Sequence, residues 1–165
     1  MTTNKSILLC FLGSIILQIF VLNQFLFSGW INPYYYIIFI LFLSAKKSHL
    51  FVILSSFLIG ICIDIGSGTL NSIGPIHGFG SLCLGYFRHK YIRLVSIRGN
   101  NLNDFNFYTL DVYRICFYLS VTTVFHHALL FLFSGLSFVN ILISTICSSF
   151  FTILLLICSY YIFKK

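Results

Sequence analysis

The chain has 165 residues, of which 59% are hydrophobic and 8% are charged. An ordinary soluble domain carries about 25% charged residues, and a soluble protein of this size could not hide so much apolar surface from water. The apolar runs are continuous and do not alternate with polar residues, which excludes a transmembrane β-barrel. The composition therefore predicts an all-α, polytopic membrane protein that forms one domain over residues 1–165.

Six apolar stretches predict six membrane helices, called helix one to helix six in chain order. They cover about residues 6–27, 33–45, 49–65, 75–95, 110–133 and 138–162. The second stretch is shorter than the ~20 residues that cross a bilayer, so we expect a half-span or a helix extended by snorkelling of Lys46 and Lys47. Asn32 is suited to cap this helix, and Pro33 is suited to its first position.

The net charge of +7 predicts the orientation. In the six-helix arrangement every Lys and Arg falls on one side, and the positive-inside rule then places both termini in the cytoplasm. Arg88, at the end of helix four, is predicted to anchor that helix at the inner headgroups. Trp30 and the tyrosines that follow it predict an aromatic belt on the outer side. The basic residues attract membrane lipid but form no compact soluble module, so we expect no nucleic-acid binding.

Asp64 is the only acidic residue in the first 103 positions. A carboxylate at the centre of a membrane helix costs roughly 2.5–3.5 kcal/mol, so it needs a partner or a polar setting. The helix directions place Asp64 and His77 near the outer side, and they place Arg88 on the opposite side, where it cannot pair with Asp64. Neighbouring helix positions point about 100° apart, so we expect a cluster of Asp64, His77 and one of His126 or His127.

Three interpretations of this cluster compete. It is a structural hydrogen-bond network that fixes helix packing, a contact to a partner protein or lipid headgroup, or a catalytic, metal or proton-relay site. The sequence has no H-E-x-x-H zinc motif, no complete nucleophile elbow and no paired membrane carboxylates. We therefore expect a protein that is not an enzyme and that has no catalytic residues, no metal and no cofactor.

Small residues follow one face of helix three and one face of helix four. They are Ser56 and Gly60, which precede Asp64 on its face, and Gly78, Ser81 and Gly85. Small residues let membrane helices approach closely, so these two helices are predicted to form a tight antiparallel pair. Gly66, Gly68, Gly74 and Pro75 predict the turn between them. The polar stretch at 96–110 is expected to be a cytoplasmic connector or a partner contact.

Several motifs occur in an order that resembles the rod shape-determining protein MreD family, especially its Bacteroidetes members. They are Leu17–Gln18 with Val21–Leu22–Asn23, Ile31–Asn32–Pro33–Tyr34, Gly60-x-x-x-Asp64 with Gly66–Ser67–Gly68–Thr69–Leu70, Gly74–Pro75–Ile76–His77–Gly78 leading to Tyr86–Phe87–Arg88, His126–His127 and Lys164–Lys165. The resemblance covers nearly the whole chain. The sequence departs from the family at the turn from Thr69 to His77, which is about two residues longer and carries Pro75 where an apolar residue is expected.

The resemblance implies a non-enzymatic scaffold of the cell elongation machinery in the bacterial inner membrane. Such a protein would bind a bitopic MreC-like partner and work with MreB, RodA and a penicillin-binding transpeptidase in peptidoglycan synthesis. The family fold resembles the substrate-binding subunits of energy-coupling-factor transporters. The alternative function is therefore a vitamin-binding transporter subunit. The sequence leaves the oligomeric state open, with a homodimer among the options.

Overall fold

The structure, a computed structural model, describes residues 4–24, 31–96 and 111–164, so Trp30 and nearly all of the polar stretch 96–110 lie outside the described residues. Within these ranges the regular elements are all helical. They are α1 (Asn4–Phe20), a 3₁₀ turn (Leu22–Gln24), α2 (Ile37–Phe42), α3 (His49–Ser67), α4 (Thr69–Ser72), α5 (Ile76–Ser96), α6 (Val112–Leu132) and α7 (Phe138–Phe163).

In the described ranges, four helical segments are long and apolar enough to cross a membrane, namely Asn4–Gln24, α3, α6 and α7. Their outward faces carry many large hydrophobic side chains, as lipid contact requires. The prediction of an all-α protein is therefore confirmed for the described residues, and four helical segments have the length and composition of membrane spans, where six were predicted. The bounds predicted for helices three to six differ from α3, α5, α6 and α7 by only a few residues, because continuous apolar runs are a strong local signal.

Helix α2 is shorter than predicted and lies inside the bundle. Its six residues are all buried, and it is apolar on every side, as a helix surrounded by protein should be. The predicted capping of α2 by Asn32 and Pro33 is wrong, because the helix begins at Ile37 and its N-cap is Tyr36. The backbone N–H of Asn32 instead donates to Ser148 Oγ on α7 at 3.1 Å. The segment before α2 thus follows tertiary partners rather than its local capping signal.

Helices α3 and α5 pack antiparallel at close distance, which confirms the prediction from their small residues. A Cβ atom at Gly60 would collide with the backbone of His77 and would lie 2.7 Å from the Gly78 Cα. A Cβ atom at Gly85 would lie 2.6 Å from Ser56 Oγ. Glycine is therefore required at the places where the two helices touch.

The turn between α3 and α5 contains the one-turn helix α4, which was not predicted. Gly68 ends α3 with a positive φ of 74°, and Gly74 follows α4 with a φ of 104°. Both conformations favour glycine, as the sequence predicts for this turn.

The bundle has two chemically different ends. Asp64, His77 and the turns at 68–75 and 133–137 lie at one end, which we call the Asp64 end. At the other end, the start of α3 meets the last half of α5, and the His49 and His89 rings are 4.0 Å apart. Lys46 and Lys47 immediately precede α3 there, so we call this the lysine end.

Candidate functional site: a buried polar cluster

The carboxylate of Asp64 is fully buried and accepts four hydrogen bonds. Its Oδ1 accepts from His77 Nδ1 at 2.8 Å, from the His77 backbone N–H at 3.1 Å and from Thr69 Oγ1 at 2.7 Å. Its Oδ2 accepts from the Gly78 backbone N–H at 2.8 Å. The two backbone donors belong to the first turn of α5, where N–H groups have no partner within the helix and the helix dipole favours a negative charge. Asp64 on α3 therefore caps α5.

Glycine at position 78 makes this capping possible. A Cβ atom there would lie 3.4 Å from Asp64 Oδ2 and 2.7 Å from the side chain of Ile61. The absence of a side chain lets the carboxylate approach the backbone N–H directly. The G-x-x-x-D pattern of α3 and the H-G pair of α5 thus form one structural unit.

His77 links Asp64 to two tyrosines. Its Nδ1–H donates to the carboxylate, because an ionised carboxylate only accepts. Its ring lies 5.1 Å from the Tyr34 ring and 6.0 Å from the Tyr36 ring, measured between centroids. Its Nε2 is buried and has no hydrogen-bond partner among the described residues. The Nδ1 side of the imidazole is therefore held by Asp64, and its Nε2 is left without a hydrogen bond.

The histidine pair on α6 divides between two sets of hydrogen-bond partners. His126 Nε2 lies 2.8 Å from the hydroxyl of Tyr36, which also accepts from Ser81 Oγ at 3.3 Å. His127 Nδ1 donates to the Thr123 carbonyl at 2.9 Å, and its Nε2 lies 3.1 Å from Thr152 Oγ1 on α7. Both histidines are fully buried. They tie α6 to α5, α7 and the segment before α2.

The residues of the expected cluster are not all in direct contact with one another. Asp64 touches His77, whereas His126 and His127 reach His77 only through the rings of Tyr36 and Tyr34. The sequence reasoning missed the two tyrosines, which were interpreted as a membrane-surface belt. The available signal was the chemistry of tyrosine, which combines an apolar ring with a hydroxyl group that usually finds a hydrogen-bond partner when it is buried.

Gln18 is a third residue that the cluster prediction does not include. It is fully buried in α1, and its Nε2 donates to Asn23 Oδ1 at 2.8 Å and to the Pro33 carbonyl at 3.2 Å. Its Oε1 accepts from the backbone N–H of Tyr36 at 3.3 Å. Asn32 Nδ2 also donates to Asn23 Oδ1 at 3.2 Å. These amides hold the non-helical segment before α2, where backbone groups need partners inside a membrane.

The predicted headgroup anchor at Arg88 is wrong. Its side chain is only 1% exposed, and it donates to the carbonyls of Leu43 and Leu41. Tyr118 also donates to the Leu41 carbonyl, at 3.1 Å. These carbonyls belong to the C-terminal end of α2, which carries the negative end of a helix dipole. Arg88 therefore caps a helix that ends inside the protein. It does not pair with Asp64, as predicted.

The side chains of the cluster mainly form hydrogen bonds that hold different helices together. Among the residues described, no three His, Cys, Asp or Glu side chains are grouped as a metal site would require. Most of its polar atoms are engaged in hydrogen bonds that join different helices, including Asp64 to α5 and His126 to Tyr36. A polar network whose members bridge different helices favours one arrangement of those helices.

Two open spaces border this framework. A cavity of about 230 Å³ lies at the Asp64 end, and its lining includes Asn32, Tyr34, Thr69, His77, Phe131 and Ser134. A larger space of about 680 Å³ lies beside α1, and we call it the α1 groove. Its lining includes Ser6, Cys10, Gly13, Leu17, Tyr35 and Phe42.

Comparison of the chain with protein-family models, with curated proteins and with solved structures finds no match.

Proposed function

We propose that this chain is a non-enzymatic, MreD-like scaffold of the bacterial cell elongation machinery, and that it binds the transmembrane helix of a bitopic, MreC-like partner in the α1 groove. The observation that carries the proposal is the groove itself. It runs along α1, which is the least enclosed of the candidate spans, with 17% of its most apolar window buried.

The shape of the groove suits a helix. Ser6, Cys10, Gly13 and Leu17 are spaced at four, three and four residues, so they follow one face of α1 over about 16 Å. Gly13 has open space above it, with nothing within 4 Å of a Cβ atom placed there. A stripe of small residues on a membrane helix lets a second backbone approach closely, where van der Waals contact replaces the hydrophobic drive that lipid cannot supply.

The interior of the protein supports the same role. Asp64, His77, Gln18 and Arg88 are committed to contacts that hold helices and non-helical segments in place. The turns described at 68–75 and 133–137 are short and offer little surface for a soluble partner. A rigid bundle with small turns exposes mainly its lateral faces, and these are what a membrane scaffold uses.

In the proposed complex the lysine end faces the cytoplasm, so the chain crosses the inner membrane six times with both termini inside. The MreC-like partner extends into the periplasm, and MreB, RodA and a penicillin-binding transpeptidase belong to the same assembly. The order of motifs from Leu17–Gln18 to Lys164–Lys165 supports this assignment. The alternative, a vitamin-binding subunit, has less support. The cavity at the Asp64 end has a volume of about 230 Å³, which is smaller than the roughly 300–1,000 Å³ of typical ligand pockets, and the α1 groove, with about 680 Å³, has the size of such a pocket but is lined by few polar side chains.

The test is co-purification. The chain is co-expressed with the MreC-like protein of the same organism and purified in detergent, and the recovered partner is quantified. We expect Gly13→Leu to reduce recovery at least tenfold, because leucine fills the groove. The fold should persist, since leucine also favours the helix by up to about 1 kcal/mol relative to glycine. Leu12→Phe is the matched control, because it adds bulk to the same helix at a position outside the groove lining.

Equal recovery with Gly13→Leu would show that the partner binds elsewhere. Absence of the MreC-like protein from the wild-type preparation, together with normal cell shape after depletion of the chain, would overturn the proposed function.

A further inference from the structure

We infer that the cavity at the Asp64 end is a binding site for a small primary ammonium group, supplied either by a free amine or by the headgroup of phosphatidylethanolamine. This inference goes beyond the scaffold function and does not depend on it. It rests on the polar atoms that line the cavity, on the aromatic rings beside them and on the charge behind them.

Two deeply buried residues of the lining each hold an unused polar atom. His77 is 3% exposed and Asn32 is 8% exposed. His77 Nε2 and Asn32 Oδ1 have no hydrogen-bond partner among the described residues. Buried polar atoms are nearly always paired in native proteins, and leaving one unpaired is costly. Other buried polar atoms of the described residues also lack a partner, but His77 Nε2 and Asn32 Oδ1 share the lining of one cavity, and this shared position points to a missing partner there.

Both atoms are acceptors. His77 gives its Nδ1–H to Asp64, so in the neutral imidazole Nε2 carries a lone pair. Asn32 gives its Nδ2 to Asn23, which assigns the other amide atom as oxygen. Two of the three hydroxyls of the lining use their hydrogens elsewhere, because Thr69 donates to Asp64 at 2.7 Å and Ser134 donates to the Phe131 carbonyl at 2.7 Å; the third hydroxyl belongs to Tyr34. The cavity therefore favours a ligand that donates several hydrogen bonds.

The surroundings favour a positive charge on that ligand. The Asp64 carboxylate lies directly behind His77, and the described residues that line the cavity include no Lys or Arg. The rings of Tyr34 and Phe131 are 6.1 Å apart between centroids, and both belong to the lining. Aromatic faces attract organic cations, most strongly where water is excluded. A primary ammonium combines a positive charge with three N–H donors, as these features require.

The experiment uses the full chain in nanodiscs of phosphatidylglycerol and follows thermal unfolding while ethanolamine is added. We expect a saturable rise in the unfolding temperature. Choline is the control ligand, because it carries the charge without an N–H donor, and it should have no effect. In a second arm, phosphatidylethanolamine replaces part of the lipid. Stabilisation in both arms identifies a site open to free amines, and stabilisation only in the second arm identifies the lipid headgroup as the source.

Two variants test the location. Asn32→Leu removes the amide acceptor and should weaken the response at least tenfold, whereas Asn140→Leu, on α7 and outside the cavity lining, should leave it unchanged. Ile73 also lines the cavity but is 51% exposed, so Ile73→Lys can be made without disturbing the core. Its own ammonium should occupy the site and abolish the response, and Ile73→Met is the matched control.

The inference is overturned by any of three results. They are no response to ethanolamine in either form, an equal response to choline, or an unchanged response in Asn32→Leu or Ile73→Lys. If Asn32→Leu does not fold, the comparison of Ile73→Lys with Ile73→Met decides alone.

Discussion

Asp64 shows how a membrane helix can hold a carboxylate without exposing it. The cost of burying the charge is offset by four hydrogen bonds, two of which come from the N-terminal N–H groups of α5. These N–H groups would otherwise be unpaired in an apolar setting. The carboxylate gives them an acceptor, and they give the carboxylate hydrogen-bond donors. The carboxylate is therefore part of the joint between α3 and α5.

Substitution of Asp64 should separate hydrogen bonding from charge. Asn keeps an acceptor for His77 and Thr69 but places an N–H group opposite the Gly78 N–H, so we expect a loss of about 1–3 kcal/mol in the free energy of unfolding. Leu leaves the donors of Thr69, His77 and Gly78 unpaired, and the loss should be about 3–5 kcal/mol. Thermal unfolding of the purified variants measures the difference.

Asp111→Asn is the control for this comparison. The Asp111 side chain is 79% exposed and lies 3.6 Å from Arg114, so its removal should change stability by less than about 1 kcal/mol. Equal destabilisation by Asp64→Asn and Asp64→Leu would contradict the hydrogen-bond account and would assign the role to the charge.

Arg88 illustrates what local sequence cannot reveal about a residue. A lone arginine near the end of an apolar helix is typical of a side chain that reaches the headgroups. Its actual acceptors are the carbonyls of Leu41 and Leu43, which lie more than forty positions earlier in the chain. These carbonyls lack helical partners because α2 stops after six residues. The residues around Arg88 in the sequence give no sign of where α2 stops.

At the scale of elements, long apolar helices were predictable and the segment around α2 was not. The bounds of α3 and α5 follow from continuous hydropathy and from glycines at their ends, which are local features. The start of α2 depends on Gln18 and Ser148, which hold residues 32–36 in a non-helical path. Tertiary partners therefore overrode the Asn32–Pro33 signal, and for the same reason the roles of Tyr34 and Tyr36 were missed.

The α3–α5 contact should be the element pair most sensitive to added volume. We expect Gly60→Ala to lower the free energy of unfolding by about 1–3 kcal/mol, because the new Cβ meets the backbone of His77, which cannot turn aside as a side chain could. Gly13→Ala is the matched control, since its Cβ meets nothing within 4 Å, and it should be neutral or stabilising by up to about 1 kcal/mol. Thermal unfolding of both variants in one detergent tests this. Equal stability would show that the helices can separate without loss.

At the scale of the whole molecule, the charges and the buried polar cluster lie at opposite ends. The sequence predicted this separation, because it depends on helix order and on the positions of lysines, and both are local. The geometry of the cluster depends on which helices touch, and that is decided by small residues and polar pairs distributed over the chain. The sequence therefore predicts which residues lie at each end of the bundle. It predicts the contacts inside the polar cluster only in outline.

The path of residues 31–48 determines how many times the chain crosses the membrane. Asn32 lies at the cavity of the Asp64 end, Leu43 lies against Arg88, and Lys46 precedes α3 at the lysine end. This segment therefore connects the two ends, although only the six residues of α2 are helical. If this segment and α5 both cross the membrane, in addition to the four candidate spans, the chain has six crossings and the C-terminus returns to the side of the N-terminus.

Fusions to reporter proteins test this count. Green fluorescent protein attached after the last residue should fluoresce, because it folds in the cytoplasm, whereas alkaline phosphatase inserted at Gly135 should be active, because it folds in the periplasm. Gly135 is exposed in the turn between α6 and α7, so the insertion disturbs no packed residue. Phosphatase at the C-terminus is the control and should be inactive. Activity there would mean an odd number of crossings or a reversed orientation, and activity of both phosphatase fusions would leave α7 on one side of the membrane.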